Sequence, residues 1–214
     1  MINKEDKWYT ITPPNISIMK CELGGSAIKY LWECIETGKQ NKINANANLV
    51  GNITESIYLE DKDDYFFNNH LKCACEKYFS EHLYCSSFRN PYGKSITNKF
   101  KLLEFWVNFS KKHEFNPPHC HGGVLSFVIW MDIPTHWKEQ YEIPFVKHSA
   151  EPSASEFQFL YTNILGDITQ MTVPMEPSVN GSMALFPATL HHMVHPFYES
   201  DGTRISISGN IFYD

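Results

Sequence analysis

The sequence predicts a mainly β protein with helices in its N-terminal part. Three observations carry this. Aromatic residues reach 14%, with 15 Phe and 11 Tyr, and aromatic rings pack well on pleated sheets. From about Phe100 onward, apolar runs of strand length recur between loops that hold Pro and Gly, the pattern of a sandwich or barrel. Ahead of that point the apolar residues fall at helical spacing instead.

Taken in order, the first helix is expected near Ser26, a fitting N-cap. Ile28, Leu31, Trp32 and Ile35 lie on one face, and Gly38 stands where a helix would stop. An Asn-rich turn region covers Asn41 to Asn48, and a short apolar-polar stretch runs from Leu49 to Leu59. Asp64 is read as the cap of a second helix whose buried face is Phe67, Leu71, Ala74, Cys75 and Tyr78. Asn90-Pro91-Tyr92-Gly93 is a turn signal that closes this region. Then the period changes. Leu103, Phe105, Val107 and Phe109 alternate with Glu104, Trp106 and Asn108. Val124 to Met131, Phe157 to Ile164, Met183 to Phe186 and Arg204 to Phe212 are further strand candidates. Between them, Asp132 to Glu156 is a long loop with Trp137, Tyr141 and three prolines. Such loops are often functional, and a cover over the mouth of the β core is one expectation; a plain surface excursion is the other.

A chain of 214 residues, 43% hydrophobic and 20% charged, suits one globular domain with a helical extension. Residues 1–98 are expected to form a helical region that packs on a β core of residues 99–214. A net charge of −6 argues against nucleic acid as a partner. The first residues, MINKEDKWYT, lack the apolar stretch of a signal peptide, and no run is long and apolar enough to span a bilayer. The six cysteines, at 21, 34, 73, 75, 85 and 120, form no CxxC pair. They are expected to be reduced thiols of a cytoplasmic protein.

Four histidines carry the chemistry. His119-Cys120-His121 follows Asn116-Pro117-Pro118 and leads toward the strand from Val124. In extended chain, residues two apart share a face, so both imidazoles can aim at one point. A third ligand must come from elsewhere, and the segment Gly181 to Pro187 leads through a turn to His191-His192. On the last strand, Arg204, Ser206, Ser208 and Asn210 share one face. Polar groups in such number need partners if buried; a polar cavity supplies them, and an exposed outer face is the alternative.

These residues resemble the core of the 2-oxoglutarate/Fe(II) oxygenases. Phe105 to Asn108, Asn116 to His121 and Leu125-Ser126 are similar to its first half. Phe186-Pro187, His192, Pro196, Arg204-Ile205-Ser206 and Asn210 are similar to its second. Within that superfamily the chain resembles the small oxygenases of marine bacteria and their phages, distantly similar to prolyl hydroxylases. Leu49 to Ile53 resembles a segment ahead of the core in that group. The resemblance implies a double-stranded β-helix, the jelly-roll or cupin-like barrel, with Fe(II), 2-oxoglutarate and O2 as cofactor and cosubstrates. It implies that His119 and His192 bind the metal, with the spacing from the preceding Pro selecting His192 over His191 and His195. It implies that Arg204 anchors 2-oxoglutarate, helped by Ser206, and Asn108 is a candidate third contact. His121 stands where the superfamily has Asp, so either the set becomes three neutral imidazoles in place of two histidines and a carboxylate, or His121 does not bind and cosubstrate and water complete a two-histidine site. The activity implied is hydroxylation of a peptidyl residue or a small metabolite, in the cytoplasm of a bacterium or a phage host, with the oligomeric state left open.

The alternative is a cupin-type metal protein, such as a thiol dioxygenase, that does not use 2-oxoglutarate. Cupins usually carry Glu shortly after His-x-His, where this sequence has Gly122 to Ser126, and they have no required role for Arg204 or Ser206. A non-enzymatic binding protein with a degenerate site is a third class, and the intact histidines and Arg204 argue against it.

Overall fold

The computed structural model describes residues 9–10, 13, 15–81 and 99–214. The turn signal at Asn90 to Gly93 and Cys85 lie outside the described residues. Two antiparallel sheets face each other. The larger sheet includes β2 (Glu55–Tyr58), β3 (Phe100–Ser110), β5 (Leu125–Asp132), β8 (Ser182–Pro187) and β10 (Arg204–Tyr213). Together with β1 (Met19–Glu22) they run in the order β1-β8-β5-β10-β3-β2. The smaller sheet has the order β4-β9-β6-β7, from β4 (Asn116–His119), β6 (Glu156–Thr162), β7 (Ile168–Pro174) and β9 (His191–Val194). This is the double-stranded β-helix that the sequence reading expected. The N-terminal part adds β1 and β2 to the larger sheet as well as its helices.

The unbroken apolar run of β5 has a simple cause: both faces of the strand are covered. Leu125, Phe127, Ile129 and Met131 pack with Leu31 and Ile35 of α1 (Gly25–Asn41) and with Phe66, Leu71 and Tyr78 of the second helical stretch. Val128 and Trp130 point the other way, into a second cluster with Phe157, Phe159 and Phe186. The same alternation runs through β3, where Phe105, Val107 and Phe109 join the helices while Trp106 and Asn108 line the space between the sheets. Where both faces of a central strand are covered, apolar residues at successive positions are the expected pattern, broken here by Ser126 on β5 and Asn108 on β3.

The helices differ in detail from the sequence reading. α1 starts two residues earlier, with Gly24 as its cap, so Ser26 lies inside the first turn. It also runs three residues past Gly38 to a left-handed Lys42. Gly38 is a crossing point rather than a stop: a Cβ there would sit 2.7 Å from Leu59 Cδ2, so its bare backbone is what lets α1 lie on β2. The second helical stretch passes through a π turn at Phe67–Leu71 into α2 (Lys72–Glu81). Its cap is Asp61, three residues before the expected Asp64. The Asp61 carboxylate accepts from the backbone N–H of Phe66 and of Phe67, each at 2.8 Å, and from the Tyr30 hydroxyl at 2.8 Å. Losing a cap costs about 1 kcal/mol, and hydrogen bonds to a charged group add to that. Asp61→Ala is therefore expected to lower unfolding stability by roughly 2 kcal/mol in urea titration, and a change below about 0.5 kcal/mol would show that the cap is idle.

Asp132 to Glu156 is not a bare loop. It holds α3 (Trp137–Tyr141) and α4 (Pro144–Lys147), with Ile143, Val146 and Ala154 buried together. The Gln140 side chain ties it to the β9–β10 connection, accepting from the Tyr198 N–H at 2.8 Å. Among the described residues no helix is long and apolar enough to cross a membrane.

Candidate metal and cosubstrate site

β4 and β9 bring the histidines together. Pro117 and Pro118 cannot donate to a ladder, which suits β4 to the sheet edge it occupies. The partner of His119 across that edge is His192. His121 follows in the turn toward β5, held by its N–H to the Ala188 carbonyl at 2.8 Å. That turn depends on Gly123, whose φ is +97° and whose Cβ would lie 2.7 Å from the Ile211 carbonyl oxygen.

The three rings form one cluster. Centroid separations are 4.3 Å for His119–His192, 5.0 Å for His119–His121 and 5.1 Å for His121–His192. Their candidate ligand nitrogens all lie within 4.8 Å of one another, and the group contains no carboxylate. His119 Nδ1 lies 2.7 Å from the Pro117 carbonyl and His192 Nδ1 lies 3.0 Å from that of Leu190. A carbonyl only accepts, so Nδ1 carries the proton in both rings and Nε2 keeps its lone pair for a metal. Burial against Phe157 and Phe186 pushes His192 down to about 3, with His119 next to it adding to the effect. Burial, then His119, pushes His121 down to about 4, and burial lowers His119 too. At neutral pH all three are unprotonated donors. The two competitors for the third position lie elsewhere. His191 is exposed, and the His195 ring is 3.0 Å from the Gln158 side-chain oxygen on the outer side of the small sheet.

Arg204, Ser206 and Ser208 face the same cavity as the imidazoles, along with Asn108 and Trp106. Ser206 sits directly across the ladder from Asn108, whose side-chain oxygen accepts from the Ser56 hydroxyl at 2.7 Å. Asn210 continues the polar face but is tied to Ser126 and Glu104, away from the cavity lining. Arg204 is only 2% exposed. Its two terminal nitrogens donate to the His195 carbonyl at 3.0 Å and the Ser155 hydroxyl at 2.9 Å, and its guanidinium lies 5.0 Å from the centre of the Phe197 ring. Nε has no partner. Burial pulls its pKa down to about 10, which leaves it charged at pH 7. No acidic side chain pairs with it among the described residues. A buried cation in this state is suited to receive an anion.

Two groups of residues at or beside the site carry little or no sequence signal of a role here. Asn48 to Gly51 and Ile53 form one wall of the cavity, held to the β3–β4 connection by the Asn52 N–H on the Phe115 carbonyl at 2.8 Å; a family resemblance was their only signal. Ser155 and its neighbour Thr135 had none. The insert from Asp132 to Glu156 contributes no residue to the cavity lining; it reaches Arg204 through the Ser155 hydroxyl.

Residues 104–210 match the family described as "Putative 2OG-Fe(II) oxygenase". A search of curated protein sequences gives no match. The fold is similar to that of the viral collagen prolyl hydroxylase of Paramecium Bursaria Chlorella virus-1 in its 2OG complex (TM-score 0.50, 13% identity, covering 91% of this chain and 94% of that one). It is similar to a Pseudomonas putida prolyl-4-hydroxylase (0.51, 14%, 94% of each chain). It is also similar to the non-heme alpha ketoglutarate dependent carbocyclase SnoK from nogalamycin biosynthesis (0.54, 8%, 91% and 78%). At these identities the likeness is one of fold.

Proposed function

The chain belongs to the 2OG-Fe(II) oxygenases, whose family match spans residues 104–210, and from that premise we propose that it hydroxylates a peptidyl residue or a small metabolite at a three-histidine iron site. Membership in the family makes it an enzyme that uses Fe(II), 2-oxoglutarate and O2, and it sets the cupin-type alternative aside. His119, His121 and His192 would hold the metal through their ring nitrogens. Arg204 would take the far carboxylate of 2-oxoglutarate, with Ser206 offering a hydroxyl from the same strand face. The observation that carries this assignment is the buried Arg204. It has no acidic partner among the described residues and an unsatisfied Nε, and it opens on the cavity where three neutral imidazoles converge.

The residues fit both groups. Three neutral imidazoles leave the metal's full positive charge, which suits a dianionic cosubstrate, and the arginine fork matches a carboxylate. When bound, Fe(II) supplies oxygen activation coupled to decarboxylation of 2-oxoglutarate to succinate. The chain's own task is to place and to exclude. Phe157, Phe159 and Phe186 keep water from His192. The backbone carbonyls of Pro117 and Leu190 fix two imidazoles in one tautomer and one orientation. Trp106 stands beside His121, with ring centres 5.6 Å apart.

The test is iron-dependent succinate release against peptide and metabolite libraries. We expect one substrate class to raise turnover well above the uncoupled rate. Equal release with and without iron would contradict the reading.

A further inference from the structure

Ser155 is the described residue in the long insert whose backbone is most unusual. Its φ is +64°, a left-handed conformation that L side chains avoid. It is fully buried. Such a residue persists only where its surroundings fix it, and it tends to mark a functional position. Here the surroundings are explicit. The Ser155 N–H donates to the Pro196 carbonyl at 2.9 Å. Its hydroxyl lies 2.9 Å from the Thr135 hydroxyl, which is also buried. The same hydroxyl accepts from a terminal nitrogen of Arg204 at 2.9 Å.

We propose that Ser155, backed by Thr135, is a positioning residue that holds the Arg204 guanidinium in the orientation which receives the cosubstrate carboxylate. This rests on the reading of Arg204 as that anchor. The physical reason is one of geometry. An arginine side chain has many rotamers, and fixing it before binding removes that entropy from the binding step. Three contacts define the guanidinium plane: Phe197 beneath it, the His195 carbonyl at one nitrogen and the Ser155 hydroxyl at the other. Three of its five N–H groups remain for a ligand: that of Nε, which has no partner in the protein, and one on each terminal nitrogen. Ser155 and Thr135 stand at the two ends of the insert, beyond α4 and before α3. The insert thus acts on the site by clamping the arginine rather than by lining the cavity.

A fixed arginine also measures the length of the cosubstrate. With Ser155 in place the site should prefer 2-oxoglutarate over 2-oxoadipate, which is one methylene longer. With the clamp released, that preference should shrink.

The experiment is calorimetric titration of each 2-oxo acid into the anaerobic, Mn(II)-loaded protein. Ser155→Ala should weaken 2-oxoglutarate binding about tenfold, as expected for one hydrogen bond to a charged group, and narrow its preference over 2-oxoadipate. Ser155→Gly should weaken binding similarly while keeping or raising the melting temperature, because glycine adopts this φ without strain. A merely structural role predicts the opposite for glycine, with binding kept. Thr135→Val, close in shape, should weaken binding by a smaller factor and serves should either Ser155 variant fold poorly. Arg204→Met is the reference. If Arg204→Met loses binding while all three clamp variants bind as tightly and selectively as the native chain, the positioning role is wrong and the anchor stands. If Arg204→Met itself binds normally, the anchor reading has failed first.

Discussion

Replacing His192 with alanine is expected to abolish specific metal binding, measured by Mn(II) or Fe(II) titration under anaerobic conditions. His192 is one of three nitrogens that converge, and its Nδ1–H on the Leu190 carbonyl turns Nε2 toward the other two rings. Losing even an outer-shell partner of a metal ligand costs roughly 10–100-fold in affinity, and losing a ligand from a set of three should cost more. His191→Ala and His195→Ala should keep the metal, since one ring is exposed and the other contacts Gln158. At His121 the expectation divides. His121→Ala should weaken binding clearly, whereas His121→Asp should retain it, because aspartate restores the two-histidine, one-carboxylate set. Equal affinity in the His192 and His195 variants would overturn the choice of ligand, and unchanged affinity in His121→Ala would remove that ring from the metal's coordination.

Arg204→Met should leave the metal bound and weaken 2-oxoglutarate binding by roughly ten- to a hundredfold or more, from about 1.5–3 kcal/mol for each charge-assisted hydrogen bond. Arg204→Lys should fall between, since it keeps the charge and loses the fork. Calorimetry on the Mn(II)-loaded variants measures both. The methionine side chain is unbranched, shorter and uncharged, so it also removes the burial cost of an unpaired cation. Arg204→Met is therefore expected to unfold no earlier than the native chain in the absence of cosubstrate. Tight cosubstrate binding in Arg204→Met would move the anchor elsewhere.

The sequence made some of this legible and hid the rest, for identifiable reasons. Strand alternation was enough to put Arg204, Ser206 and Ser208 on one face, because β10 is a central strand with a strict period of two. The His119–His121 pair was legible from its spacing together with the apolar strand that follows it; in the structure His121 lies just past the end of β4. The third histidine was not, since His191 and His192 point to opposite sides of β9 and residue type cannot say which side is inward; the family pattern was needed. β7 went unnoticed because it is an edge strand whose Ile168 and Met171 face outward, so its composition shows no buried face. β1 is four residues long and mostly exposed. Gly38 was read as a helix end because glycine favours that place, whereas here it serves close packing on β2. Ser155 lies 49 positions before the arginine it contacts. Its backbone conformation is imposed by the tertiary structure, and no local signal announces it.

If one cavity takes Fe(II) on His119, His121 and His192 and 2-oxoglutarate on Arg204, the two ligands must meet there. The most direct measurement is titration of 2-oxoglutarate into the native chain loaded with Fe(II) without oxygen, followed by the metal-to-ligand charge-transfer absorption band that appears only when the cosubstrate chelates the iron. A saturable band is expected at one equivalent of each, absent in His192→Ala and shifted to much higher 2-oxoglutarate concentration in Arg204→Met. Iron bound at one equivalent with no band at any 2-oxoglutarate concentration would contradict it.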